Sequence, residues 1–548
     1  MTDPSRFAGL LLSVFLAASC APVPRGSVTD EARAIAELFE TPVQYSPRTM
    51  TPEELAAFFA SYPEYRADSA AISAFYERRG MQFAWFINDT LTASAEAFLS
   101  LSGVADTAGA PVDPLAPHLS ALVTDALPEG RAEALCDTCA RHLELHLTAE
   151  FFRFAERQYG GHFQRDLREL GWFIPRAKKD MSRLIDSLAA GTMDLSAYAP
   201  MHPQYQKLRR HLARYQAIRD TAWPALELPR GRATLRPGDS AAVVPAIRAR
   251  LVLLGDLAAD PGGEAYDSGT VEAMRRFQAR HGLQEDGVIG PNVVRALNVS
   301  PATRLRTMLV NMERLRWVPD AQPANLLLVN IPEFQLHVHE ADTLVRSMRV
   351  VVGTAATRTV IFSDTVSTIV FSPTWTVPPG MTRRLILPAM RRDPDYLRRE
   401  NMEIIGGTPQ QPIIRQRPGP NNALGRVKFL FPNSYHIYMH DTPARQLFGR
   451  DQRAFSQGCI RLADPQWLAE YLLRHDPSWT RSRIERAMVS GRETFVPLTE
   501  RPPVWLVYFT AWEDREGRLN FRDDIYGHDE RLAAELFRQD PPDGTSPP

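Results

Sequence analysis

Lysine is nearly absent from this chain of 548 residues: Lys178, Lys179, Lys207 and Lys428 are the only ones, and arginine supplies the other basic side chains. Motifs that depend on lysine are therefore easily excluded. No P-loop occurs, nor a Ser-x-x-Lys pair of the kind serine acyl-transfer enzymes use, and the His-Glu-x-x-His pattern of zinc proteases is missing too. Excess charge of one sign is also lacking. With 63 basic and 64 acidic residues the net charge is −1, so no global electrostatic footprint points to nucleic acid. Beyond the first residues no apolar run is long enough to cross a bilayer. Cysteine is scarce as well: Cys20, Cys136, Cys139 and Cys459 are all there are, where a domain stabilised by disulfides would carry more. No metal site or cofactor motif stands out.

The N-terminus is informative in itself. Arg6 precedes an apolar run from Phe7 to Ala18, too short to stay in a bilayer as a helix but shaped like a secretory h-region. Leu16-Ala17-Ala18-Ser19-Cys20 resembles a bacterial lipobox, in which the cysteine becomes the acylated first residue. Export to the periplasm is the expectation, with Cys20 as a lipid anchor to the outer membrane; a plain cleaved signal stays open.

The length calls for three or more units. The pattern divides as a signal at 1–20, a linker at 21–45, a helical scaffold at 46–225 and a small helical module at 230–300. A β-rich domain at 320–500 follows, with an insertion at about 381–426, then an extension at 501–535 and a disordered tail at 540–548. The fold class expected is multidomain α+β. Thr51 can cap a helix that has Pro52 at its first position, and Leu143 to Tyr159 has amphipathic helical spacing. In the module, Val244, Ile247, Leu251 and Leu254 share one helical face, and Val271, Met274 and Phe277 share another. Strands are expected at 326–331, 334–338, 348–352, 368–371, 427–431 and 435–439. The insertion is rich in arginine, with Arg383, Arg384, Arg391, Arg392, Arg398 and Arg399, and reads as a weakly patterned lid loop.

The chemistry gathers between Tyr435 and Leu462. In a strand there, His436, Tyr438 and His440 would share a face. Nineteen residues after His440 comes Ser456-Gln457-Gly458-Cys459-Ile460-Arg461-Leu462. Cys459 is the odd thiol if Cys136 and Cys139 pair with each other. A thiolate is a strong nucleophile once an imidazolium partner lowers its pKa. Gly458 lets backbone approach a substrate closely, and backbone N–H groups at the nucleophile can form an oxyanion hole. These residue types alone suggest acyl transfer without establishing it.

The segment YMHDTPARQLFGRDQRAFSQGCIRLADPQWLAEYLL resembles the catalytic signature of the L,D-transpeptidases, specifically the large periplasmic branch with a scaffold and a peptidoglycan-binding module. The likeness extends through VNIPEFQLHV, FSPTWTVP, RQRPGPNNALGRVKFLFPN and PVWLVYFTAWEDREGRLNFRDDIYGHD, and FQARHGLQEDGVIG resembles the core of a three-helix peptidoglycan-binding module. The resemblance implies a β-rich catalytic domain of the YkuD type with Cys459 as nucleophile and His440 as base. It further implies a backbone carbonyl of Asp441 as third member and Gly458 with Cys459 around the oxyanion hole. Tyr438 and Trp375 match aromatic positions near the cleft, and Arg461 matches an arginine that anchors a stem-peptide carboxylate or braces the loop.

The activity implied is formation of 3→3 peptidoglycan cross-links through a cysteine thioester, with release of D-alanine. Peptidoglycan stem peptides are the partners and carbapenems the expected inhibitors. An L,D-carboxypeptidase, an enzyme attaching or detaching a lipoprotein, and a non-catalytic wall-binding lipoprotein remain alternatives. Gln457 departs from relatives that carry His or Ser there, which leaves proton transfer to His440. Cys136-x-x-Cys139-x-x-His142-x-x-x-His146 allows a disulfide, free thiols or a metal site. His337 and His339 share a strand face and read as solvent-facing.

Overall fold

The computed structural model describes residues 48–87, 90–92, 95, 98, 136–161, 166–176, 202–319, 323–341 and 343–537. The signal segment with Cys20, the 21–45 linker and the 540–548 tail lie outside the described residues.

In the scaffold, helix α1 (Pro52–Ser61) starts as its sequence dictates. The Thr51 hydroxyl accepts from the Glu54 amide, and the Glu54 carboxylate accepts from the Thr51 amide. With α2 (Ser69–Arg78), the short hairpin β1 (Phe86–Ile87) and β2 (Thr90–Leu91), and the long helix α3 (Asp137–Gly160), it encloses an aromatic core that includes Phe75, Tyr76, Phe83 and Trp85. Glu144 of α3 is buried there because it ties the neighbouring chain to the helix. Its carboxylate accepts from the amides of Ala84 and Trp85 at 2.6 and 3.0 Å and from the Tyr76 hydroxyl at 2.9 Å. Cys136 and Cys139 are bonded to each other at the start of α3, and His142 turns to the Tyr62 hydroxyl at 2.7 Å.

The module packs α5 (Val244–Leu254), α6 (Ser268–Arg280) and α7 (Pro291–Asn298) around the apolar faces that the spacing marked, with α4 (Pro203–Ala217) and α8 (Pro301–Leu315) on the same core. The buried residues of α4, among them Leu208 and Leu212, belong to this core and not to the scaffold's.

The β-rich domain is built on an eleven-stranded sheet. Strands β3 (Asn325–Asn330), β4 (Gln335–Glu340) and β5 (Thr343–Gly353) form an antiparallel meander whose alternate side chains enter the core. Beyond β5 the order runs through β14 (Ile460–Leu462), β12 (Met439–His440), β11 (Val427–Leu430) and β7 (Thr368–Phe371) to β15 (Thr494–Pro497). On the other side β16 (Pro503–Val507) runs parallel to β3 and pairs with β6 (Phe362–Thr365). The short strand β13 (Ala454–Ser456) pairs with β5 off this path.

Three expectations need correction. The insertion is a folded unit. Strand β8 (Trp375–Thr376) pairs with β10 (Gln411–Gln416), and β10 with β9 (Met402–Thr408), over a small core of Val377, Ile386 and Ile414. A π-helical turn, Thr382–Ile386, leads into α9 (Leu387–Arg392), and its apolar residues escape a periodicity search because the elements are so short. The expected strand at 435–439 shrinks to Met439–His440. The Asn433 carbonyl oxygen of the side chain accepts from the amides of Tyr435 and Ile437, closing a turn, and His436 adopts a left-handed φ of 57°. His337 also has partners: its ring meets the Ser347 hydroxyl at 2.7 Å and the Glu333 carboxylate at 2.9 Å.

The units interlock. Trp172, within the scaffold region, bridges to Ile361, and the Phe173 amide donates to the Ile361 carbonyl at 2.9 Å. At the other end the hairpin β17 (Ala511–Glu513) and β18 (Leu519–Phe521) leaves the β-rich domain and enters the module's core. There His281 lies between the Phe277 and Phe521 rings, with centroids 3.9 and 5.9 Å away.

Candidate active site

Helices α10 (Pro465–Leu472) and α11 (Arg481–Val489) pack on the sheet near its middle, where β12 and β14 run parallel in the register Met439 to Ile460 and His440 to Arg461. The Ile460 amide donates to the Tyr438 carbonyl at 3.0 Å, which extends the register one step back to Cys459. Met439 and Ile460 are wholly buried in the core. Side chains alternate along strands, so Tyr438, His440, Cys459 and Arg461 fall together on the opposite face. Cys459 and His440 are diagonal neighbours across the pair, a relation that in sheets separates backbones by roughly 7–8 Å. On the far side of His440 its partner in β11 is Lys428.

His440 is 4% exposed. Its Nδ1 lies 2.5 Å from the carbonyl oxygen of Asp441. A carbonyl only accepts, so Nδ1 carries the proton and Nε2 is left as the basic nitrogen. Burial pushes the His440 pKa down to about 3, aided by the Arg461 guanidinium and the Lys428 ammonium; the carbonyls of Asp441 and Leu424 oppose this less strongly. Burial likewise raises the Cys459 thiol pKa, while the nearby Tyr438 amide and hydroxyl and the Arg461 charge pull it down. Burial and the two flanking cations disfavour the charged imidazole, and burial disfavours the free thiolate.

The turn that presents Cys459 is held from several directions. Gly458 has a φ of 110°, a region that favours glycine. Its amide donates to the Ser456 hydroxyl at 3.1 Å, and that hydroxyl donates to the Cys459 carbonyl at 2.5 Å. This corrects the oxyanion-hole assignment of Gly458, because its N–H is committed to Ser456. The Cys459 amide, with no internal acceptor among the described residues, and the Tyr438 hydroxyl are the donors left beside the sulfur. The Thr359 hydroxyl donates to the Gly458 carbonyl at 2.8 Å and the Thr357 hydroxyl to the Ser456 carbonyl at 3.0 Å. The Tyr526 hydroxyl donates to the Gly353 carbonyl at 2.6 Å, bracing the same loop. The Cys459 thiol points to the His436 carbonyl at 3.7 Å, which the left-handed turn aims at it.

Of the residues singled out from sequence, Cys459, His440, Asp441, Tyr438, Gly458 and Arg461 come together. Arg461 Nε is buried with no hydrogen-bond partner. Trp375 lies in β8, packed against the small core of the insertion, and Gln457 is exposed. Ser456 was readable from its place three residues before the cysteine. Lys428, Thr357, Thr359 and Tyr526 were not, because only the fold brings them near.

The site thus places a cysteine at the start of one strand beside a histidine on the adjacent parallel strand. Residues 324–484 match the L,D-transpeptidase catalytic domain, residues 70–212 a scaffold domain, and residues 240–297 the family described as "Putative peptidoglycan binding domain". A protein of Haemophilus influenzae described as "Putative L,D-transpeptidase" is 35% identical over 241 residues, 41% of this chain and 48% of that protein. The chain thus spans about half the length of the curated relative it matches. Similar solved structures include an L,D-transpeptidase from Mycobacterium smegmatis, 13% identical with a TM-score of 0.19 over 34% of this chain and 58% of that one. L,D-transpeptidase 3 from Mycobacterium tuberculosis is 15% identical, with a TM-score of 0.18 over 34% of this chain and 61% of its own. The chain carries an L,D-transpeptidase catalytic domain in a multidomain α+β fold, together with a peptidoglycan-binding domain of the matched family.

Proposed function

We propose that the protein is a peptidoglycan L,D-transpeptidase that forms 3→3 cross-links through a thioester on Cys459. The observation that carries this reading is the face shared by Cys459 and His440, with the Asp441 carbonyl on Nδ1. In the first step Cys459 Sγ attacks the carbonyl of the third stem-peptide residue while the thiol proton passes to His440 Nε2. The oxyanion gathers at the Cys459 amide and the Tyr438 hydroxyl, where fixed donors act most strongly. Collapse breaks the amide bond, and D-alanine leaves with the proton from His440. In the second step an amine of a neighbouring stem attacks the thioester, gives its proton to His440, and the thiol is restored.

His440 rests unprotonated, as a general base must, and its lowered pKa together with the raised thiol makes the proton transfer uphill until substrate binds. Arg461, half-buried with its Nε sheltered and short of a partner, fits a stem-peptide carboxylate. Carbapenems, which acylate nucleophiles through a strained carbonyl, are the inhibitors this chemistry predicts. The lipobox-like end at Cys20 supports a periplasmic enzyme held at the outer membrane; among the described residues no helix is long and apolar enough to cross a membrane. Digestion of purified muropeptides tests the reading. Dimers of a tripeptide donor joined to a tetrapeptide acceptor should form, with one D-alanine released per dimer. Shortened monomers alone would make water the acceptor, and release of a bound lipoprotein would make it a protein lysine.

A further inference from the structure

We propose that the Asp441 side chain is a positioning residue that clamps the peptide plane on which the His440 tautomer depends. The inference rests on the reading of His440 as the base. The carbonyl that accepts from His440 Nδ1 and the Thr442 amide belong to one peptide group, and they point in opposite directions from it. Both edges are occupied. The carbonyl takes His440 Nδ1–H at 2.5 Å, and the Thr442 amide donates to Oδ1 of Asp441 itself at 2.7 Å. The other oxygen, Oδ2, accepts from the Arg426 amide at 2.8 Å, which fastens the carboxylate to the turn before β11. The Asp441 amide donates to the Val427 carbonyl at 2.9 Å, so the residue is tied to that strand twice.

The surroundings fit around this carboxylate. Asp441 is 3% exposed and Thr442 2%, so water does not substitute for these bonds. A Cβ at Gly425, whose φ is 64°, would lie 2.4 Å from the carboxyl, and only glycine lets the turn close on it. Arg445 reaches Oδ1 at 2.5 Å from the solvent side and supplies the countercharge. An anion accepting from a peptide N–H also polarises that peptide and makes its carbonyl the stronger acceptor for the imidazole. Without the clamp the peptide is free to rotate, and His440 loses what distinguishes Nδ1 from Nε2.

Three measurements on the full chain test this: ¹⁵N chemical shifts of the His440 ring (assigned by difference with His440→Gln), the rate of Cys459 acylation by imipenem followed by intact mass, and the thermal midpoint. Asp441→Ala should stay folded, show a mixture of tautomers in place of Nδ1–H, and acylate about tenfold more slowly, the factor one hydrogen bond is worth. Gly425→Ala, which displaces the carboxyl without removing it, should move the tautomer signal the same way and serves if Asp441→Ala does not fold. A folded variant with the displaced or missing carboxyl but an unchanged Nδ1–H signal and wild-type rate would overturn the proposal. Should the wild type resist acylation altogether, the reading of Cys459 falls, while the tautomer shifts still judge the clamp.

Discussion

Replacing Tyr438 by phenylalanine removes one hydroxyl and leaves the ring beside His440, whose centroid is 5.7 Å away. The hydroxyl lies close enough to the Cys459 sulfur to be among the influences that favour the thiolate there. A hydrogen bond to a charged group contributes about 1.5–3 kcal/mol when well sheltered. Tyr438 and Cys459 are both partly exposed, so the lower end applies, and about 1.4 kcal/mol corresponds to one pH unit of titration. Loss of a group that favours the thiolate raises the thiol pKa. The pH profile of Cys459 alkylation by iodoacetamide, located by peptide mapping, should therefore move upward by about one pH unit from a midpoint already above the ordinary thiol range. If the oxyanion also uses this hydroxyl, acylation by imipenem at neutral pH falls by about tenfold or more. Superimposable alkylation profiles for the two proteins would show that the hydroxyl does not touch the sulfur in solution.

Other outcomes follow from the same geometry. His440→Ala should lower acylation by about 10²–10⁴-fold, the usual worth of a positioned base, while Gln457→Ala, exposed and without a partner here, keeps most of the rate; the reverse order in single-turnover assays would move the base to residue 457. Asp256→Ala strips the partner from Arg280, whose Nε–Oδ1 bond of 2.6 Å is buried, and should cost about 3–5 kcal/mol in urea denaturation. Burial raises the Glu144 pKa from 4.5 to about 7, so the folded scaffold holds a proton that the unfolded chain releases. Stability then falls as pH rises from about 4.5 to 7, by up to about 3 kcal/mol, and the scaffold should unfold at lower urea at pH 8 than at pH 5.

The parts legible in the sequence were those set by local periodicity or local chemistry. The Thr51 cap, the helical faces of the module and strands such as Thr368–Phe371 are written in residue spacing, and the fold places them there. Cys459 and His440 were legible because their surrounding words resemble a family. What eluded reading is long-range. Lys428 and Arg461 depress the His440 pKa only because β11 and β14 flank β12. Asn433 breaks the strand expected at 435–439 through side-chain bonds to the backbone, which alternation does not reveal. The insertion hides a core of three fully buried side chains, supplied by segments 28 residues apart, Ile386 and Ile414, together with Val377.

The most direct test of the central claim is to incubate the protein with a disaccharide-tetrapeptide, quench in acid and weigh the intact chain. Cys459 should carry the disaccharide-tripeptide as a thioester, with one D-alanine released per adduct, and Cys459→Ala should carry nothing and form no cross-links. Cross-linked product from the Cys459→Ala protein, or an adduct mapped to any other residue, would contradict it.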